Sequence, residues 1–251
     1  TAIALAACSQ SPKGEAPWIV DRFDDIKVIR YEVPGFDELP LEEKELVYYL
    51  AEAAKCGRDI FFDQNCAVNL PVRRTLETIY ENYAGDRTTP EWKALEKYLK
   101  KVWFANGIHH HYSTDKFHPE FTEAYFDELI AATPAENFPA DFGSGEGGVA
   151  EIKPVIFDPA VMPKRVNQAE GEDLIVTSAN NYYEGVTQKE VERFYAERMN
   201  PHDTTPVSWG LNSKLVKEPD GRIVERVWKV GGMYSPAIEK IVYWLGKAAE
   251  V

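Results

Sequence analysis

The sequence is poor in cysteine, histidine and basic residues, and it has no long apolar run. Three cysteines in 251 residues cannot make a disulfide framework. Cys56 and Cys66 are too far apart in sequence for a C-x-x-C metal signature, and a single disulfide and two buried free thiols both remain open. No stretch reaches the roughly 18 apolar residues of a transmembrane helix. Lys and Arg total 28 against 41 Asp and Glu, for a formal charge of −13. Such a surface repels phosphate and excludes nucleic acid as a partner. Its plain reading is a solvated acidic coat. Ser208 and Ser213 lack a G-x-S-x-G frame, and the chain contains no His-Glu dipeptide. A nucleophile elbow and an H-E-x-x-H zinc helix are therefore both missing.

What is present is the material of a folded domain. Apolar residues make up 44%, and thirteen Tyr, twelve Phe and six Trp can fill one large core or two small ones. Thr1-Ala-Ile-Ala-Leu-Ala-Ala-Cys8 ends like a bacterial lipobox: an apolar run, small residues, then a Cys that accepts lipid. No basic region precedes it, so the chain is expected to begin inside its own signal peptide. Residues 9–21, starting Ser9-Gln-Ser-Pro-Lys-Gly, read as a polar tether. The localisation these imply is the bacterial cell envelope, periplasm-facing, with the membrane held through a lipid on Cys8.

Between 22 and 133 the pattern is mainly helical. Ile26, Val28 and Ile29 suggest a short strand. Pro40 introduces a helix to Lys55 with Leu46, Leu50, Ala53 and Ala54 inward, and Gly57 is its stop signal. Pro71 opens a second helix to Tyr83, with Leu76, Ile79, Tyr80 and Tyr83 inward. Thr89-Pro90 opens a third, with Trp92, Leu95, Tyr98 and Leu99 inward. Pro119 opens a fourth, on which Phe121, Tyr125, Phe126, Leu129 and Ile130 share a face. Residues 149–178 read as extended, including Val155-Ile156-Phe157 and Leu174-Ile175-Val176. Thr187 and Glu190 form a capping box for a helix to about Met199. Pro219-Asp220-Gly221 is a turn between strands spanning 207–218 and 222–230, with Ile223 and Glu225 on one face. Ser235-Pro236 caps a last helix whose Ile238, Ile241, Val242 and Leu245 form an apolar stripe. That helix meets Val251 without a cap, so the chain is expected to continue. The whole reads as α+β, helical over 40–133 and mixed over 149–251.

Two motifs invite a chemical reading. Gly143-Ser-Gly145-Glu-Gly-Gly148 matches G-x-G-x-x-G in letters. It has no preceding strand and no helix opening on it, so a flexible loop is the better reading. His109-His110-His111 places three of the five histidines side by side. Successive side chains diverge by about 100° on a helix and alternate on a strand, so they cannot share one metal ion. The surrounding loop mixes Asn106, Tyr112 and Lys116 with imidazoles. It is equally a polar ligand contact or a packed connector.

Several segments together resemble the dipeptidyl peptidase III family of zinc exopeptidases. They are Pro34 to Ala54, Phe104-Ala-Asn-Gly107, Thr114-Asp-Lys-Phe-His-Pro119, Asn181 to Thr187, Leu211-Asn-Ser-Lys-Leu215 and Gly232-Met-Tyr-Ser-Pro236. Their order and spacing cover residues 22–251, and the His-rich loop is similar to the form in Bacteroidetes-type members. The resemblance implies a two-lobed enzyme that releases dipeptides from the N-terminus of short peptides. This chain would be most of the lower, substrate-holding lobe, helices beside a partial β-barrel. It implies that zinc serves the parent enzyme, bound by an H-E-x-x-G-H helix in a C-terminal lobe beyond Val251. This chain itself would bind no metal and carry no catalytic residue. Asn106, Gly107, His110, His111 and Tyr112 become the candidate substrate contacts. The alternative is a non-catalytic peptide-binding envelope lipoprotein.

Overall fold

A computed structural model describes residues 18–138, 148–205 and 209–251 of the protein. The expected signal-peptide end and Cys8 lie outside the described residues, as do most of the glycine-rich motif and Val207. The chain opens with β1 (Ile19–Phe23) and β2 (Ile26–Ile29), an antiparallel hairpin. Order thus begins inside the stretch expected to be tether. The hairpin turn docks on the helices through Lys100–Asp21 (2.9 Å), Lys101–Asp24 (2.5 Å) and the edge-on rings of Phe23 and Phe104.

The helical body follows: α1 (Leu41–Cys56), α2 (Arg58–Asn65), α3 (Asn69–Asn82), α4 (Pro90–Ala105), α5 (Glu123–Ala132) and α6 (Val149–Phe157). The predicted core of α4 is the observed one. Trp92, Leu95, Tyr98 and Leu99 are all buried, and Thr89 Oγ1 accepts the Trp92 N–H at 3.2 Å. On α3, Leu76 and Ile79 are buried with Val72, while Tyr80 and Tyr83 pack at the margin. Tyr83 stacks on Trp92 with centroids 4.3 Å apart. The helix after Pro119 starts later than expected. Thr122 is its cap, its Oγ1 accepting the Tyr125 N–H at 3.1 Å, and Phe121 reaches the core from the preceding loop.

Two expectations fail here for clear reasons. Gly57 does not stop the chain's helical course. It keeps a right-handed conformation (φ −83°), so α2 begins at once and buries Phe62. Residues 149–157 are a helix, not extended chain, despite Pro154. Proline removes one helical hydrogen bond. Against that, Ile152, Val155 and Ile156 are buried at helical spacing, worth about 1.5–3 kcal/mol each. A helix therefore does open directly after Gly148. Residues 174–176 lie in a turn rather than a strand.

The remainder forms a three-stranded sheet in the order β3 (Tyr183–Glu184), β4 (Ser213–Lys217), β5 (Ile223–Val227), with α7 (Gln188–Ala196) against it. β3 and β4 are parallel; β4 and β5 are antiparallel, with Lys217 opposite Ile223 around the predicted turn. The sheet does not close into a barrel, and the chain is α+β. The capping box at Thr187 and Glu190 is present. Val186, Val191, Phe194 and Leu215 make a second, smaller core.

α8 (Ser235–Glu250) packs against α1. Trp244 stacks on Tyr49 and meets Tyr48 edge-on. Ser235 is not its cap: the helix begins after Tyr234, which is left-handed (φ 61°). Ser235 Oγ instead accepts the Gly231 N–H at 2.7 Å and donates to Glu239. Neither helix buries the stripe its pattern suggested. Leu50 is 46% exposed and Val242 54%, because the two helices lie side by side with no further layer over them among the described residues.

Candidate functional site

The candidate loop leaves α4 by a left-handed residue. Asn106 sits at φ 52° and ψ 44°, a conformation asparagine tolerates. Its carbonyl accepts from Asn65 Nδ2 at 3.1 Å and Asn69 Nδ2 at 3.4 Å. Gly107 follows at φ +147°, and a Cβ there would lie 2.1 Å from Asn69 Nδ2. Only glycine fits. Asn69, fully buried, also accepts the Ile108 N–H at 3.1 Å and donates to the Phe62 carbonyl at 3.0 Å. Gly107 is itself buried, so it shapes the loop from below and offers no face to a ligand.

The loop then folds back on itself. Phe117 N–H donates to the Ile108 carbonyl, and His110 N–H to that of Asp115, both at 2.8 Å. Lys116 N–H and Arg165 N–H tie it to the segment around Pro163. Lys116 is not a ligand contact. It is buried, and its Nζ donates to the carbonyls of Val155 (3.0 Å), Asp158 and Val161 (2.6 Å), closing the C-terminus of α6. Cations suit that end of a helix. Burial pushes its pKa down.

The three histidines have three different environments. His109 is buried and its Nε2 lies 2.9 Å from the Met162 carbonyl. Burial pushes its pKa down to about 4, so near neutrality the ring is uncharged and Nε2 carries the proton. His110 Nδ1 accepts the N–H groups of Tyr112 (3.2 Å) and Ser113 (3.1 Å). Its Nε2 faces Asp25 at 3.8 Å. His111 stacks on His110 with centroids 4.5 Å apart and meets Phe104 edge-on. Burial, then the neighbouring His110, lowers its pKa. Tyr112 packs on His111 at 4.3 Å and is 84% exposed. The outer surface of the loop is thus a short stack of imidazole and phenol rings.

Zinc does not fit this loop. The His109 and His110 nitrogens named above are engaged by the backbone, and among the described residues no three His, Cys, Asp or Glu side chains converge to hold a metal ion. No metal-dependent step is derived from these residues.

The last turn of α2, missed in the sequence because Gly57 looked like a stop, connects this loop to the sheet. Arg165 bridges Asn65 Oδ1 and the His111 carbonyl, each at 3.3 Å. Gln64 carbonyl accepts the Asn181 N–H at 2.9 Å. Asp63 accepts from Asn181 Nδ2 at 3.0 Å and from the Tyr234 hydroxyl. Burial and that carboxylate push the Tyr234 pKa up. Lys214 Nζ donates to Asn181 Oδ1 and Glu184 Oε2, both at 2.6 Å. Asn181, Lys214 and Tyr234 come from three separate motif segments and meet around one carboxylate. No protein-family model matches the chain, and no curated protein matches it significantly.

Proposed function

We propose that this chain is the substrate-holding part of a zinc dipeptidyl peptidase of the dipeptidyl peptidase III kind, held at the bacterial envelope by a lipid on Cys8. In this reading the zinc and its ligands come from another part of the longer polypeptide. The chain grips short peptides and presents them. Asn106 and Gly107 set the loop, and His110, His111 and Tyr112 supply the contact surface. The observation that carries the reading is the hub at Asp63, Gln64 and Asn65. It joins the ring-bearing loop to Asn181, Lys214 and Tyr234 in one polar network. A network of this kind gives exposed rings a fixed platform, which is what orienting a flexible peptide requires.

The test has two arms. Calorimetry of this chain with tetra- to hexapeptides should show binding that Tyr112→Ala weakens. The full-length polypeptide should release N-terminal dipeptides and lose that activity to a chelator. Peptide binding without turnover by the full-length polypeptide would favour a non-catalytic peptide-binding lipoprotein. Chelator-sensitive turnover by residues 1–251 alone would refute the division of labour.

A further inference from the structure

The β1–β2 hairpin has two unlike ends. Its turn end is pinned to α4 by Lys100–Asp21 and Lys101–Asp24. Its open end is fixed by the Arg30 N–H donating to the Trp18 carbonyl at 2.8 Å. That end carries Trp18, Ile29 and Tyr31 around one shallow pocket of about 670 Å³, with Arg30 and Glu32 at its edge. Trp18 is 56% exposed and Tyr31 85%. Val33 and Phe36, just downstream, are exposed as well.

The residue types separate this patch from the exposed stripe on α1 and α8. That stripe is largely aliphatic, as at Leu46, Leu50, Val242 and Leu245, and suits another protein surface. Tryptophan and tyrosine, each with an apolar ring and a polar tip, favour the boundary between lipid headgroups and acyl chains. Position points the same way. Trp18 follows Cys8 by ten residues, which span at most about 35 Å fully extended. A lipid on Cys8 therefore keeps this end of the molecule beside the bilayer at high effective concentration. Arg30 and Glu32 offset one another, and the net charge of −13 gives no attraction to anionic lipid.

We infer that the open end of the hairpin, through Trp18, Ile29 and Tyr31, seats in the interfacial layer of the membrane and sets the orientation of the anchored protein. The inference rests on Cys8 being lipidated. The site would take zwitterionic headgroups and upper acyl chain, and its docking would be insensitive to salt.

The test uses the natural lipidated protein, extracted and reconstituted into phosphatidylcholine–phosphatidylethanolamine vesicles, with or without brominated phosphatidylcholine. Intact mass first reports the modification of Cys8. The contribution of Trp18 is then the emission difference between the wild type and Trp18→Phe, both shown to be folded by circular dichroism. Brominated lipid should remove most of that difference, and Tyr31→Ala should restore it. An unmodified Cys8 removes the lipoprotein reading and this inference with it. A lipidated Cys8 with a Trp18 signal unchanged by bromine overturns the inference alone. So does a Trp18 shielded from both bromine and aqueous acrylamide, which would assign the patch to another part of the protein.

Discussion

Replacing Lys116 by methionine separates a structural role from a ligand-binding one. Methionine keeps an unbranched chain of similar length and removes the ammonium group. Three carbonyls then lose their donor: Val155, Asp158 and Val161. Hydrogen bonds to a charged group contribute about 1.5–3 kcal/mol each. They will not be lost in full. Asp158 is exposed and Val161 half-buried, so their carbonyls can turn to water, whereas Val155 is buried. Removing the ammonium also relieves its desolvation, and the new side chain gains apolar contact. The net expectation is a loss of about 2–4 kcal/mol. Urea titration followed by far-ultraviolet circular dichroism should show a lower midpoint at constant slope. Melting should fall by roughly 5–15 °C for a chain of this size. Peptide affinity per folded molecule should change little. A stability change below about 0.5 kcal/mol, typical of exposed positions, combined with abolished peptide binding, would refute the argument. It would place Nζ in the ligand site instead of at the end of α6.

Gly107→Ala forces a Cβ into Asn69, whose nearest atom is 2.1 Å away. Strain and disturbed packing should cost about 2–4 kcal/mol by denaturant titration. His109 should give the protein an acid-sensitive window. Its folded pKa is pushed down to about 4, while the unfolded chain takes up that proton near 6.5. The stabilisation is complete above about pH 6.5 and falls as pH drops toward 4, by about 2–3 kcal/mol in all. His109→Gln should flatten the pH dependence of the urea midpoint across that window; an unchanged slope would show that the ring reaches water. Glu190, held down to about 2 by Lys217 and the cap at Thr187, acts below this window. Its contribution is present above about pH 4.5 and is lost as pH falls toward 2. Thr187→Ala should cost about 1 kcal/mol and shorten amide protection over the first turn of α7.

Local signals carried well wherever one helix met a core on one side. Thr89-Pro90 and the 3–4 spacing of Trp92, Leu95, Tyr98 and Leu99 marked α4 with its burial pattern. Thr187 with Glu190 marked the start of α7, and Pro219-Asp220-Gly221 marked the hairpin. The failures share a cause, which is that a local signal has more than one physical outcome. Glycine ends a helix when it turns left-handed, and Gly57 stays right-handed. Proline argues against a helix by one hydrogen bond, and in α6 three buried side chains outweigh it. Ser235 has the chemistry of a cap, but Tyr234 takes that place and frees the serine for other bonds.

The site shows a deeper limit. Asn106 and Gly107 were legible because each needs a special backbone conformation, and that requirement is local. Asp63 meets Tyr234 across 171 residues of sequence, and no spacing rule places one near the other. The same limit explains α1 and α8. Periodicity identified an apolar face on each helix correctly in composition, but it carries no information on what lies opposite. Burial belongs to the pair of surfaces, and only one surface of the pair is written in any helix. The hub at α2 was hidden twice over, by an ambiguous glycine and by partners that reach it only through the folded chain. Its carboxylate could be inferred from neither end alone, since Asn181, Lys214 and Tyr234 each look like ordinary polar residues until the sheet brings them to it.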